Sequence, residues 1–429
     1  MVGSWTVRIG WGALLTCSPA VDPPVHAPPE VVEVVEVVEA PTPAVIEEDL
    51  SEAIADDCVG PTAAEVEATP RVWQRVGTSR ERPYLHGMGT RVFVSARTRL
   101  YEAGPGEPLV ASVASAAGLG KKPVVQMLGR WPDDAWALTF EGAMTRARGG
   151  HKFHLWRWSA ERWGRRTREA LVGDGVPEVY AWTPGQVLEL RCAGRPMLGF
   201  VAHGGTSPAP LERASATSFC PQVLFATAAG DLFVVDHVKG DPPDVRVVHR
   251  CAGCEAASVE VLPVPRACGA PATTSVWGLK AVAAGQPRGP VLALHTSATV
   301  EAGLGRQTGA FLLRRAGEGW SAEAVPAGGS IDAMATGPDG SLWLASDALL
   351  RRAPEGGWTA IAAPLEGPGV DLAAVAVVGE EVWLVVETSR KKVSTWAVYR
   401  SGPGAARGAE EPVAAALDLD TGGAARQAR

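Results

Sequence analysis

A short motif recurs seven times between residues 92 and 385 and sets the architecture. In each copy a turn precedes about four apolar or aromatic residues, as in residues 92–95 and 342–345. Equivalent positions are 93, 136, 188, 233, 292, 343 and 383, which gives spacings of 43, 52, 45, 59, 51 and 40. Such a period is typical of chains that repeat one supersecondary unit.

A second element follows the first in the clearest copies. It consists of an apolar strand, a turn and a tryptophan: residues 155–158 with Trp163, 312–315 with Trp320, and 349–352 with Trp358. Strand–turn–strand units of this length form the blades of a β-propeller when they are arranged around an axis. The predicted fold is all-β, a seven-bladed β-propeller, with six or eight blades as alternatives.

Residues 331–361, IDAMATGPDGSLWLASDALLRRAPEGGWTAI, carry a family resemblance. This unit resembles the two-component-regulator propeller repeat and its relatives in streptogramin lyases. One copy matches well, two or three match moderately, and the others match in outline. The resemblance implies the fold far more than a function. Streptogramin lyases use histidine and glutamate from particular loops, and no local motif here maps onto those residues.

Ring closure makes a further demand on the sequence. The last copy supplies strands at residues 370–378, 381–387 and 394–401 and then lacks an outermost strand. Residues 71–76 resemble the tryptophan-led fourth strands, so we expect them to pair beside residues 394–401 and remove the exposed edge. The alternative is an isolated first strand. Tryptophans at the equivalent positions are predicted to fill the core between blades.

The ends of the chain differ in composition from the repeats. Residues 1–17 begin with MVGSWTVR, in which Arg8 is the only basic side chain. An apolar run from Ile9 to Leu15 follows, and the string Leu-Leu-Thr-Cys ends at Cys17. This resembles a bacterial lipoprotein signal, which implies export and lipidation of Cys17; an ordinary cytoplasmic N-terminus is the alternative. We expect residues 18–69 to form a disordered linker that is acidic and rich in proline. Residues 70–403 are expected to form the propeller, and residues 404–429 a disordered tail.

Charge is divided along the chain. Residues 1–70 hold thirteen acidic side chains against Arg8 alone, whereas the remainder holds 39 Lys and Arg against 34 Asp and Glu. The body is therefore mildly basic although the net charge is −7. No stretch approaches the roughly 20 apolar residues that span a bilayer, so membrane contact is expected only through a lipid at Cys17.

Six cysteines remain besides Cys17: Cys58, Cys192, Cys220, Cys251, Cys254 and Cys268. An even set is compatible with disulfides in an oxidising compartment. For Cys251-Ala-Gly-Cys254 a structural disulfide is favoured, and reduced thiols or a zinc site with His249 and Cys268 stay open. No cofactor, metal or catalytic residue is assigned.

Three further strings are predicted to be turns. Asp339-Gly340 suits a hairpin. The string at residues 202–205 is similar to an esterase oxyanion loop, but no Gly-x-Ser-x-Gly accompanies it. Residues 118–121 lack the first glycine and the final Ser or Thr of a phosphate loop.

The candidate binding residues come from topology. Loops that join the second and third strands of every propeller blade emerge on one rim, and the predicted loops carry twelve cations against seven acids. The candidate ligand-binding residues on this rim are Arg146, Arg148, His151, Lys152, Asp236, His237, His295, Arg306 and Lys391. The excess of positive charge favours an anionic partner but is small for nucleic acid.

The sequence therefore predicts a non-enzymatic module that binds a protein or an anionic envelope polymer outside the cytoplasm. We expect a monomer in the periplasm or on the cell surface, held at the membrane only through a lipid on Cys17. The alternative is a lyase or hydrolase whose site lies at the central channel. His151, Asp236, His237 and His295 are its candidate residues.

Overall fold

The computed structural model describes part of the chain in detail. The described residues are 69–116, 118–119, 122–141, 151–167, 171–173, 180–191, 197–205, 211–212, 223–227, 230–238, 244–252, 254, 257–265, 275–283, 290–299, 306–316, 319–326, 331–390, 393–402 and 416–421. The predicted signal with Cys17 and almost all of the predicted linker lie outside these residues. No helix among them is long and apolar enough to cross a membrane.

The described residues form seven sheets, one for each repeat, whose strands pair antiparallel except for one parallel pair in the last sheet. The first strand in the chain, β1 (Gln74–Ser79), belongs to the last sheet. Blade 1 contains β2 (Tyr84–Met88), β3 (Arg91–Ala96), β4 (Arg99–Ala103) and β5 (Val110–Ala111), followed by the short helix α1 (Val113–Ala116). Blade 2 contains β6 (Val124–Arg130), β7 (Asp134–Glu141), β8 (His151–Ser159), β9 (Arg162–Arg165) and β10 (Leu171–Gly173). Both β9 and β10 pair with β8, so the outer strand of this blade is interrupted.

The next blades follow the same plan. Blade 3 contains β11 (Tyr180–Thr183), β12 (Gln186–Arg191), β13 (Met197–His203) and β14 (Leu211–Glu212). Blade 4 contains β15 (Val223–Ala226), β16 (Leu232–Val238), β17 (Asp244–Arg250) and β18 (Ser258–Pro263). Blade 5 contains β19 (Ser275–Ala283), β20 (Pro290–Thr299), β21 (Arg306–Ala316) and β22 (Gly319–Ala324).

The last two blades complete the set. Blade 6 contains β23 (Ala333–Thr336), β24 (Leu342–Ala345), β25 (Leu349–Arg352) and β26 (Trp358–Ile361). Blade 7 contains β27 (Val370–Val378), β28 (Glu381–Arg390), β29 (Val393–Ser401), then β1 and finally β30 (Leu417–Asp418).

The first strands of the blades contact one another in cyclic order. Each of β2, β6, β11, β15, β19, β23 and β27 touches the first strand of the next blade, and β27 touches β2. Such an order closes the sheets into a ring, which confirms the predicted seven-bladed β-propeller. All seven positions that the sequence sets as equivalent lie on the second strands of their blades.

The core is divided among the seven interfaces between blades. Each hydrophobic cluster of described residues joins one blade to the next, from blades 1 and 2 around to blades 7 and 1. Trp136 lies between blades 2 and 3, and Trp383 lies between blades 7 and 1; they are 0% and 1% exposed. An aromatic side chain that buries about 200 Å² contributes about 5 kcal/mol at about 25 cal/mol per Å². These tryptophans are therefore core residues, as predicted.

The N-terminal strand closes the ring. β1 pairs antiparallel with β29, with Thr78 opposite Ala397. The predicted partner strand is confirmed, although its pairing begins at Gln74 and includes a bulge between Arg75 and Gly77, three residues later than predicted.

One segment differs from the expected C-terminal tail. Within residues 404–429, Leu417–Asp418 pairs in parallel with β1. The reason is an apolar anchor: Leu419 is 0% exposed between blades 7 and 1, and its carbonyl accepts a 2.8 Å hydrogen bond from the hydroxyl of Tyr101. Gly77 leaves room for it, because a Cβ there would lie 3.0 Å from the Leu419 side chain.

Candidate functional site

The predicted rim residues lie where blades 2, 4 and 5 pass from second to third strand. His151 and Lys152 begin β8, Asp236 and His237 lie near the end of β16, His295 lies in β20 and Arg306 begins β21. Their side chains are outside the described part of the structure, as are Arg146, Arg148 and Lys391 entirely. The rim site and the channel alternative therefore stay predictions.

The opposite face of the ring, which we call the turn face, is better described. It carries the hairpins between first and second strands and between third and fourth strands. An aromatic residue on the second strand there faces a cation on the third strand in three blades. The paired residues are Trp136 and Arg157, Trp343 and Arg351, and Trp383 and Arg400, with guanidinium-to-ring distances of 5.1, 5.9 and 5.7 Å.

Blade 4 places histidine where those blades place arginine. His249 lies opposite Phe233 and stacks on its ring at 4.4 Å. Cation–π contacts contribute about 0.5–2 kcal/mol each. Because the pairs repeat at one register position, they mainly stabilise the blades.

Asp134 connects the pair of blade 2 to the next blade. Its Oδ1 accepts hydrogen bonds from Trp136 Nε1 at 3.0 Å and Arg157 Nη2 at 3.1 Å. Its Oδ2 accepts from Trp182 Nε1 at 2.8 Å and from the Gly185 amide at 2.6 Å, both in the first hairpin of blade 3. One carboxylate therefore fixes Arg157 and joins two blades.

Burial by itself would raise the pKa of Asp134, but its partners more than reverse this. Hydrogen bonds from the Gly185 amide and from the indoles of Trp182 and Trp136, with the charge of Arg157, bring the pKa below its ordinary value of 3.8. The carboxylate is therefore ionised at neutral pH, and it holds Arg157 as a charged, oriented group.

A cleft of about 360 Å³ opens beside this network on the turn face of blade 2. Its lining consists of Pro132, Asp133, Arg157, Trp158, Ser159, Ala160 and Arg166. Two turns form its walls: residues 131–133, with a cis bond between Trp131 and Pro132, and residues 160–161. We call this feature the blade-2 cleft.

Aromatic rings form the base of the blade-2 cleft. The ring of Trp158 lies 4.8 Å from that of Trp131 and 5.2 Å from that of Trp163, and Phe93 of blade 1 lies 5.0 Å from Trp131. This cluster is part of the core between blades 1 and 2. The cleft therefore rests on packed side chains and is formed in advance of binding.

The second wall is a tight hairpin. Ser159 pairs with Arg162, and the two residues between them, Ala160 and Glu161, have φ values of 49° and 58°. Non-glycine residues in this region cost about 1 kcal/mol or more each, and the cross-strand pairing around the turn holds them there. The turn fixes Ser159 and Ala160 against the cleft.

The sequence gives no sign of the cleft, because its lining residues occupy ordinary strand and turn positions of the repeat. Arginines recur at one point of the third strand, in Leu155-Trp156-Arg157, Leu349-Leu350-Arg351 and Val398-Tyr399-Arg400. That recurrence is a signal for the turn-face pairs. It does not single out Arg166 or Asp133, which reach the cleft only through the fold.

Blade 4 carries a disulfide on the turn face. Cys251 and Cys254 are joined in the loop between its third and fourth strands, as the favoured interpretation predicts. Cys268 lies outside the described residues. His249 is engaged elsewhere, since its Nδ1 lies 2.9 Å from Arg315 Nη1. Within the described ranges, no group of three or more His, Cys, Asp or Glu side chains could hold a metal ion.

Neither a protein-family model nor a curated protein matches the sequence. Solved structures match it in fold at low identity. The extracellular domain of BT4673 from B. thetaiotaomicron is 10% identical, with a TM-score of 0.42 over 79% of this chain and 39% of that one. This chain thus spans about two fifths of that structure's length.

Two further matches have different descriptions. YCF48 bound to D1 peptide is 9% identical, with a TM-score of 0.39 over 80% of this chain and 97% of that one. A luciferin-regenerating enzyme is 11% identical, with a TM-score of 0.36 over 78% and 96% of the two chains. These similarities concern the fold alone.

Proposed function

We propose that this protein is a non-enzymatic β-propeller that binds a ligand or a protein outside the cytoplasm. The blade-2 cleft is the observation that carries this proposal. It is concave, it combines apolar walls with few convergent polar groups, and it rests on strands rather than on long loops. Those are the general properties of a binding site.

Two features support the extracytoplasmic location. The Cys251–Cys254 disulfide is the kind of bond that persists in oxidising compartments. The string ending at Cys17 resembles a lipoprotein signal. We propose the periplasm or the cell surface, with a lipid on Cys17 as the anchor.

The rim opposite the cleft is a second proposed surface. Its candidate residues are Arg146, Arg148, His151, Lys152, Asp236, His237, His295, Arg306 and Lys391. Their net positive charge favours an acidic protein segment or an anionic envelope polymer. The monomeric ring leaves both faces accessible.

The location is tested by trapping thiols in intact bacteria that express the full chain. After acid quenching, proteins are labelled with a maleimide of high mass, with and without prior reduction. The matched control is the double variant Cys251→Ser and Cys254→Ser.

In an oxidising compartment, the wild-type chain and the control should carry equal numbers of labels before reduction. After reduction the wild type should gain two more than the control. Two extra labels before reduction, together with recovery in the cytoplasmic fraction, would contradict the proposed location.

Binding is tested separately, by retention of the purified full chain on immobilised polygalacturonate, alginate, poly-glutamate and neutral dextran. The proposal expects retention on at least one acidic polymer and none on dextran. Arg166→Ala should reduce this retention. If no acidic polymer retains the chain at low salt, the binding proposal is wrong.

A further inference from the structure

We propose that the blade-2 cleft binds an acidic saccharide, that is, a sugar unit that carries a carboxylate. This inference rests on the proposed binding function and names the class of ligand for it.

Two arginines of different character line the cleft. Arg157 is held in place, because Nη2 donates to Asp134 at 3.1 Å and the guanidinium lies 5.1 Å from the Trp136 ring centroid. A guanidinium has five N–H donors, so most of them stay available for a ligand. Because the group is already oriented, binding a carboxylate costs it little conformational entropy.

Arg166 lies at the exposed side of the cleft, just after β9. Its amide donates to the Leu155 carbonyl at 2.9 Å, which ties its backbone to the third strand. Within the described part of the chain its side chain has no ion pair. The two guanidinium groups therefore give the cleft positive charge from two sides, and planar carboxylates match their donor geometry.

Asp133 and Ser159 distinguish a sugar from a simple polyanion. Both line the cleft. The Asp133 carboxylate only accepts hydrogen bonds, and the Ser159 hydroxyl donates and accepts. Sugar hydroxyls satisfy both groups, whereas a run of ligand carboxylates would be repelled by Asp133. The cleft thus favours a ligand in which each anionic group stands beside several hydroxyls.

Apolar surface completes the match to a sugar ring. Pro132 and Trp158 line the cleft, and the Trp131 and Trp163 rings pack against the largely buried ring of Trp158. The C–H face of a pyranose can pack on such surfaces. The volume of about 360 Å³ falls in the range of pockets for small ligands.

An acidic peptide is the competing occupant. Peptides rich in Asp or Glu would also be attracted by Arg157 and Arg166. They would place repeated carboxylates near Asp133, which lines the cleft. That repulsion makes the peptide the weaker candidate.

The test is isothermal titration calorimetry of the full chain at low salt with three probes. The probes are trigalacturonate, neutral maltotriose and hexaglutamate. The proposal expects binding of trigalacturonate, at least tenfold weaker binding of hexaglutamate, and no measurable binding of maltotriose.

Variants assign the binding to the cleft. Arg166→Ala should weaken trigalacturonate binding about tenfold or more, since it removes a charge-assisted hydrogen bond. Arg162→Ala is the matched control: Arg162 is an exposed arginine at the start of β9 that does not line the cleft, and its loss should change affinity less than twofold.

Asp133→Asn gives a second readout. It should weaken trigalacturonate binding and strengthen hexaglutamate binding, because it replaces one of the two carboxylate acceptors by an amide donor and removes the repulsive charge. Thermal unfolding of each variant shows whether it is folded.

The contrary outcomes are distinct. If hexaglutamate binds as tightly as trigalacturonate, the saccharide inference is wrong while the binding function stands. If trigalacturonate binds equally to wild type, Arg166→Ala and Asp133→Asn, the sugar site lies elsewhere and the assignment to this cleft is wrong. If no acidic probe binds, the inference and the proposed binding function both fail.

Discussion

Arg71 Nε donates a 2.7 Å hydrogen bond to Ser401 Oγ, although 330 positions separate the two residues in the chain. Ser401 Oγ in turn donates to the Val72 carbonyl at 2.6 Å. Beside them, Trp73 Nε1 donates to the Ala362 carbonyl at 2.7 Å, in the link between blades 6 and 7. The segment before β1 is therefore bound to both neighbouring blades.

This closure predicts different behaviour for two truncated chains. A chain that begins at residue 69 keeps β1 and should keep the mass per particle and the melting temperature of the full chain. A chain that begins at residue 81 exposes the edge of β29, so it should melt lower and self-associate. Size-exclusion chromatography with light scattering and thermal unfolding measure both effects. Equal melting and equal mass for the two chains would contradict the closure.

Asp134 should be among the most sensitive polar positions. Asp134→Ala leaves two indole N–H groups, an amide and a guanidinium without their acceptor, so the free energy of unfolding should fall by about 2–4 kcal/mol. Urea unfolding gives this value.

Asp339→Ala is the matched control for that variant. Asp339 occupies the comparable turn of blade 6, but its side chain is 50% exposed and its hydrogen bonds stay within that blade, to Ser341 and Arg351. Its loss should cost about 1 kcal/mol or less. A loss of unfolding free energy as large as that of Asp134→Ala would show that hydrogen bonds between blades stabilise the protein no more than those within one blade.

The disulfide of blade 4 should contribute little to global stability. The two cysteines are only three positions apart in the sequence, so the disulfide closes a very short loop. The Cys254 amide already donates a hydrogen bond to the Cys251 carbonyl at 3.1 Å. Loop-closure entropy for so short a loop gives about 2 kcal/mol at most. The double serine variant should therefore fold and lose about 1–2 kcal/mol in urea unfolding. A variant that fails to fold would mean that this bond is needed to assemble the blade.

His86 predicts a pH dependence of stability. Burial in β2 lowers the pKa of His86 from its ordinary value of 6.5 to about 4, and a backbone hydrogen bond with Val124 opposes the shift. Between about pH 6.5 and 4 the unfolded chain binds a proton that the folded chain does not. Stability from this group is therefore complete above pH 6.5 and falls by about 3 kcal/mol as the pH approaches 4.

The measurement is urea unfolding at pH 7.5, 5.5 and 4.5 for wild type and His86→Gln. Glutamine does not titrate, so the variant should lose less stability across this range than the wild type does. Parallel pH profiles for the two chains would show that His86 is not the group responsible.

The fold was largely predictable because its determinants are local and repeated. Each second strand carries a dense apolar run with an aromatic residue, as at Trp136, Trp343 and Trp383, and turn residues precede it. The closing strand could be inferred by counting, since the last repeat lacks a fourth strand. The pairing itself starts at Gln74 and contains a bulge between Arg75 and Gly77, neither of which the repeat pattern predicts.

The cleft was not predictable, for a geometric reason. Pro132 and Asp133 lie in one turn of blade 2, Ala160 lies in another, and Arg166 follows an interrupted outer strand. Only the register between those strands brings them together. The sequence directed attention to the charged rim loops instead. Leu419 was missed similarly, because nothing in a tail rich in Ala and Gly shows that one leucine is buried against blades 7 and 1.

β1 closes the ring of seven blades on which the blade-2 cleft lies. The most direct test of this closure is a designed cross-link between Thr78→Cys and Ala397→Cys, which are opposed residues of β1 and β29, in a background without the other cysteines. Paired positions in an antiparallel sheet are close enough for a disulfide.

Pairing of β1 with β29 predicts that the Thr78→Cys and Ala397→Cys variant oxidises spontaneously and migrates faster on non-reducing gels. The control variant, Thr78→Cys with Ser394→Cys, should form no cross-link. Equal cross-linking in both pairs, or none in either, would contradict this pairing.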